Sequence, residues 1–151
     1  SYYDCVHTDQ IEWYKECSEK LEKTAGRKIY GLMFMHIPMQ QLQYIRDNPE
    51  ECKIEGDVNE PTCCSDLDYG LFDAIKERGD VKLVLNGHDH TNNYTGIVDG
   101  INFGYCGSLS LNTYNIEEIR GARVVIIDEN DTEHPETYMA FLHDPKYGYD
   151  K

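Results

Sequence analysis

Val81-Lys82-Leu83-Val84-Leu85-Asn86-Gly87-His88-Asp89-His90 carries the strongest structural instruction in the chain: an apolar run, then Asn-Gly, then two histidines one residue apart. A short apolar run bounded by a turn signal reads as a buried strand, and the glycine lets the backbone bend sharply after it. His36 holds a comparable position, closing the apolar run Ile29–Met35 just before Pro38. In open α/β sheets, ligands bind beyond the carboxyl ends of the strands. Neutral imidazole is the commonest protein ligand for transition metals such as Zn, Fe and Mn. His36, His88 and His90, carried by two strand ends, therefore read as one side of a metal site. A lone histidine at a strand end is usually a hydrogen-bonded surface or core residue. The paired spacing after Asn-Gly, and the second strand end, set these three apart.

Outward from that stretch, helix and strand alternate. Thr8 is the expected N-cap of a helix running to about Lys23, with Gly26 beyond its end. Within it Trp13, Cys17 and Leu21 recur at i+4, with Ile11 and Tyr14 alongside, and predict a stripe facing the core. The run Ile29–Met35 is apolar on both faces, as a central strand covered by helices should be. From Ile37 to about Asp66 the chain is polar, irregular and rich in breakers, and its Gln40–Ser65 part is expected to wall a cleft. A second helix fits Tyr69 to Arg78, stopped by Gly79, and the strand Val81–Leu85 follows. Beyond the histidine pair, Thr95–Val98 and Ile101–Cys106 flank Asp99-Gly100, a strong hairpin signal. Ala122–Asp128 and Thr137–Leu142 read as another antiparallel pair. The class is α/β, with a mixed sheet and β-hairpins at the end. Residues 1–143 form one domain, or a large piece of one, and 144–151 a polar tail.

A formal net charge of −14 argues against a nucleic-acid or anionic-membrane surface. No stretch approaches the roughly 20 apolar residues of a membrane span. Six cysteines are many for a cytosolic domain of this size. Cys52 and the vicinal Cys63-Cys64 bracket a loop containing Gly, Pro, Asp and Asn, which predicts a disulfide staple. Their spacing does not match a structural zinc site. Asn93-Tyr94-Thr95 and Asn130-Asp131-Thr132 are glycosylation sequons in expected turns. With the cysteines they favour a glycoprotein in a secreted or lumenal setting. The opening Ser1-Tyr2-Tyr3-Asp4-Cys5 lacks an initiator Met and reads as the start of an excised segment.

With His36-Ile37-Pro38, Gly87-His88-Asp89-His90 and a β-rich tail, the chain resembles the carboxyl half of a calcineurin-like metallophosphoesterase, within the purple-acid-phosphatase-like branch. Asp9-Gln10-Ile11-Glu12-Trp13, Glu77-Arg78-Gly79-Asp80-Val81, Tyr105-Cys106-Gly107 and Arg120-Gly121-Ala122-Arg123 extend the likeness from about Cys5 to Leu142. The resemblance implies a four-layer α-β-β-α sandwich with two divalent or trivalent metal ions (Fe, Zn or Mn) at the strand ends. It also implies hydrolysis of a phosphorylated substrate, with His36 and His88 ligating one ion and His90 the other. Two cations roughly 3.5–4 Å apart lower the pKa of a bridging water and hold phosphate oxygens during in-line attack.

The family's Asp-x-His, Gly-Asp-x-x-Asp and Gly-Asn-His motifs are not found in the right order in this sequence, so no catalytic residue is assigned. Gly56-Asp57-Val58-Asn59-Glu60 follows His36 in the chain and receives no role. Three histidines are too few donors for two ions. The resemblance therefore implies a missing amino-terminal half of the domain, removed by cleavage or truncation of the parent chain or supplied by another chain. Alone, the segment is expected to be inactive and to expose a sheet edge. His7 and Asp89 are candidates for the substrate cleft, Asp89 also for an acceptor behind the rings. Tyr94, Tyr105 and Tyr114 read as core or rim, and His134 and His143 as structural. The competing functions are a non-catalytic metal-binding or pseudoenzyme domain, and an extracellular interaction module stapled by disulfides.

Overall fold

Helix α1 (Thr8–Ala25) leads to strand β1 (Gly31–Met35), followed by helices α2 (Gln40–Asp47) and α3 (Leu71–Arg78) and strand β2 (Val81–Asn86). Two hairpins complete the order: β3 (Thr95–Val98) with β4 (Ile101–Tyr105), and β5 (Gly121–Asp128) with β6 (Asp131–Phe141). The computed structural model describes residues 3–147; Ser1, Tyr2 and residues 148–151 of the polar tail lie outside the described residues. The main sheet has the order β1-β2-β4-β3, with β2 parallel to both neighbours and β3 antiparallel to β4. The β5–β6 pair forms a separate two-stranded sheet. The class is α/β with a mixed sheet, as the patterning predicts. Among the described residues no helix is long and apolar enough to cross a membrane.

The core packs Leu42, Ile45, Leu71 and Ile75 of the helices against Val84, Phe103 and Tyr105 of the sheet. Tyr94 and Tyr105 are fully buried, which makes them core residues. β1 departs from expectation. It lies at an edge of the described sheet, and although Met33 and Met35 pack on the core, the intervening Phe34 is 62% exposed. Its two-sided apolar pattern thus has a partner on one side.

The buried face of α1 also differs. Trp13 and Leu21 are exposed at 67% and 58%, whereas Ile11 and Ser18 are buried. Polar anchoring sets this orientation. The Tyr14 and Ser18 hydroxyls both donate to the buried Asp80 carboxylate, and Arg78 Nε donates to Ser18 Oγ at 2.9 Å. Those bonds turn the polar side of the helix inward and leave its most apolar stripe outside. His7, not Thr8, is the N-cap, with the Gln10 side chain accepting its backbone N–H at 2.9 Å.

Helix α2 lies where an irregular stretch is expected. It buries Leu42 and Ile45 completely while presenting glutamines outward. Its seat requires a glycine, because a Cβ on Gly96 would lie 2.5 Å from Ile45 Cγ2 and 3.2 Å from the Cys52 carbonyl. The first hairpin turns as expected through Asp99 (φ 49°) and Gly100 (φ 78°), the left-handed pair a tight connection demands. The predicted staple does not form: all six cysteines are free, and Cys52 is buried in the core. Asn93 is 2% exposed and its amide donates to Asp57, so that sequon is closed, while Asn130 is exposed in the β5–β6 turn.

Candidate metal centre

Parallel pairing of β1 with β2 sets Met35 opposite Asn86, so His36 and Gly87-His88 leave the sheet side by side. The Gly87 N–H donates to the Met35 and His36 carbonyls at 3.2 and 3.1 Å, tying the two exits together. The His36 and His88 rings stand with centroids 5.2 Å apart and planes at 65°. A Cβ on Gly87 would come within 3.1 Å of His36 Nδ1, so the glycine preserves the space around that nitrogen. His88 itself has φ 72°, a left-handed conformation uncommon for a residue with a side chain. Asn86 braces the turn by donating from Nδ2 to the Ile37 carbonyl at 3.0 Å, while its buried Oδ1 has no hydrogen-bond partner.

His90 is held separately. Its Nδ1 lies 3.1 Å from the Tyr114 carbonyl. A carbonyl only accepts, so this contact suits the tautomer that carries its proton on Nδ1 and its lone pair on Nε2. The ring stacks on Tyr114 at 4.4 Å and 11°. The Tyr114 hydroxyl in turn donates to Glu60 Oε2 at 3.0 Å, and Glu60 Oε1 accepts from the Thr91 N–H and Oγ1. Burial raises the Tyr114 phenol, keeping it a donor.

Of the two cleft candidates, Asp89 sits beside His88 and Cys63, while His7 lies on the surface at the start of α1, and neither lines the cavity next to His36. His7 is exposed, bonded through Nε2 to Asp4 at 2.7 Å, with its ring 5.0 Å from Tyr69. That bond raises the His7 pKa and lowers that of Asp4. The adjoining cavity of about 360 Å³ is lined by Asp4, Cys5, Gln10, His36 and Leu71, among others. Asp89 is 3% exposed, and its Oδ2 accepts from the Tyr105 hydroxyl at 2.5 Å and the Cys63 N–H at 3.1 Å. Burial holds the Tyr105 phenol far above its ordinary range, so it serves as a neutral donor. His134 and His143 lie opposite Asp131 and Glu117, at 2.8 and 3.4 Å.

One neighbour was not legible in the sequence. Cys63 Sγ, a ring nitrogen of His88 and a carboxylate oxygen of Asp89 all lie within 4.8 Å of one another. Cys63 and His88 are joined by loop return, not by a spacing rule; the only hint is the place of Cys63 in the segment expected to wall the cleft. The donor chemistry fits a metal ion: two converging imidazoles, a glycine that keeps one ring nitrogen uncrowded, and a buried carboxylate beside a thiol.

No family model matches the chain, and no solved structure matches it. Among curated proteins it is similar to "Probable inactive purple acid phosphatase 14" of Arabidopsis thaliana, 34% identical over 131 residues, covering 82% of this chain and 32% of that protein. "Probable inactive purple acid phosphatase 29" of the same plant is 32% identical over 136 residues, covering 85% of this chain and 34% of the relative. "Probable inactive purple acid phosphatase 28" is 26% identical over 116 residues, with 74% and 28% covered. The chain thus spans about a third of the length of these curated relatives.

Proposed function

The chain is a distant homologue of the purple acid phosphatases, in the purple-acid-phosphatase-like branch of the metallophosphoesterases, and from that premise we propose that its histidines form part of a metal centre that hydrolyses phosphate esters. The reading rests above all on the convergence of His36 and His88 at the ends of adjacent parallel strands. In this reading His36 and His88 hold one ion and His90 Nε2 the other, the ions being Fe, Zn or Mn. Bound there, such cations would activate a coordinated water and neutralise charge on the phosphoryl group. Gly87 keeps room at the His36 ring, and the Tyr114 carbonyl fixes the tautomer that presents Nε2 of His90.

Residues 1–143 would form one part of a four-layer sandwich. The remaining carboxylate and amide ligands would come from the amino-terminal half of the domain, in the same parent chain or another. The edge position of β1 and the share of the relatives covered both support this. A second reading, metal binding without turnover, draws support from the relatives' names, which call them probably inactive. The interaction module loses one support, the staple between Cys52 and the Cys63-Cys64 pair.

The test is metal content and hydrolysis of a panel of phosphomonoesters and diesters by the full-length protein. His36→Ala, His88→Ala and His90→Ala are expected to lower both, with Gly87→Ala weakening metal affinity about tenfold while the fold survives. Bound metal without turnover selects the second reading. Unchanged metal content in the histidine variants removes both.

A further inference from the structure

We propose that Cys63 is itself a metal ligand, and that with His88 and Asp89, and His36 alongside, it makes a site for one thiophilic divalent cation of the zinc class. The inference rests on the metal reading above and deepens it by naming a sulfur donor and the ion class that donor selects.

Three observations carry it. The first is proximity. Donor atoms within 4.8 Å of one another need only a small adjustment to close on one ion, since ligands at roughly 2.0–2.3 Å around a tetrahedral zinc lie about 3–4 Å apart. The second is Asp89. A carboxylate 3% exposed is costly without compensating charge, yet its hydrogen-bond partners are a phenol, a peptide N–H and the Cys63 thiol, all neutral, and no lysine or arginine pairs with it among the described residues. The thiol that bonds this carboxylate is the same group that would exchange its proton for the cation. The third is the positioning of the thiol: the Cys63 N–H bond to Asp89 pins the cysteine backbone beside the carboxylate. The Tyr3 ring, 4.7 Å from the His88 ring and edge-on to it, adds an aromatic wall.

Sulfur sets the selectivity. Thiolate suits zinc better than magnesium or manganese, which prefer oxygen. On binding, the Sγ–H bond breaks, an Sγ–metal bond forms and the proton leaves to bulk water, with no change in oxidation state. Were His36 to close on the same ion as a fourth donor beside Cys63, His88 and Asp89, no open position would remain for a nucleophilic water, the mark of a structural rather than a catalytic zinc site. With three donors a position stays open for water, and the hydrolytic reading above holds.

Cobalt(II), a spectroscopic stand-in for zinc, tests this in the reduced full-length protein. The expected result is a near-ultraviolet sulfur-to-cobalt charge-transfer band that saturates with Cys63 ligation. Cys63→Ser should lose the band and bind cobalt at least about tenfold more weakly, while Cys64→Ser keeps it. A second measurement needs no variant: Zn²⁺ should slow iodoacetamide alkylation of Cys63 at least tenfold, read by peptide mass spectrometry with Cys64 as internal reference. Cobalt binding without the band, with Cys63 alkylated equally fast with and without Zn²⁺, overturns the proposal. The histidine reading survives that result if His36→Ala and His88→Ala still abolish cobalt binding. Intact cobalt binding in both histidine variants would remove the two together.

Discussion

At His88 the backbone is held at φ 72°, a conformation costing a residue with a Cβ roughly 1 kcal/mol or more. The geometry turns the imidazole toward His36 and the Cys63 thiol, so the strain coincides with the proposed site. Replacement by glycine separates strain from ligation. His88→Gly should be more stable than His88→Ala by about 1 kcal/mol in urea denaturation, with metal binding lost in both. Equal stabilities would mean that the left-handed turn carries no strain.

The Asp4–His7 pair shows the same economy at the surface. Bonding to Asp4 raises the His7 pKa, so its contribution is complete below 6.5 and fades as pH rises through the raised value. Asp4, lowered by His7, contributes fully above 3.8 and loses that contribution as pH falls through its lowered value. The pair is therefore at full strength between those two ordinary values. A proton NMR titration should find His7 above the usual histidine range, and Asp4→Asn should return it there.

Among the elements, the β5–β6 hairpin is held to the sheet by the Lys82–Glu133 ion pair and, at its centre, by Arg123. Arg123 donates from Nε to the Tyr105 carbonyl at 2.6 Å, from Nη2 to the Asn93 carbonyl at 2.5 Å, and from Nη1 to Thr137 Oγ1 at 3.3 Å. Burial lowers its pKa, as expected for a guanidinium largely withdrawn from water. Arg123→Met keeps much of the apolar stem but strands two backbone carbonyls, at a cost of about 2–4 kcal/mol measurable by chemical denaturation. A change under about 0.5 kcal/mol would mean that water replaces the guanidinium.

What the sequence reveals at this scale is what is encoded locally. Apolar runs, the Asn-Gly turn and the Asp99-Gly100 hairpin need only near neighbours, so the strand ends bearing His36 and His88 are legible from composition and spacing. The buried face of α1 is not, because Tyr14 and Ser18 choose it by bonding to Asp80, more than 60 residues away. Helix α2 hides because only Leu42 and Ile45 are fully buried, and their seat is made by the distant Gly96. Cys63 escapes notice for a like reason: its nearness to His88 exists only once the loop has returned to the sheet.

Over the whole molecule, two opposing features meet. The net charge of −14 keeps copies of the chain apart at low salt. Against this, Trp13, Phe34, Met33, Met35 and Leu71 line one groove beside the edge strand β1, with Trp13 and Phe34 more than half exposed. An apolar groove next to unpaired strand groups is a template for association, here with the proposed remainder of the domain or with another copy. Salt should decide the balance, since it screens the charge and leaves the groove untouched. Analytical ultracentrifugation of the 151-residue chain should therefore show association that rises with ionic strength. Phe34→Lys should suppress it, because a charge on the strand edge opposes pairing, while costing within about 0.5 kcal/mol because the side chain is exposed. Association that falls with salt, or that survives Phe34→Lys unchanged, would mean that charged surfaces rather than this groove bring copies together.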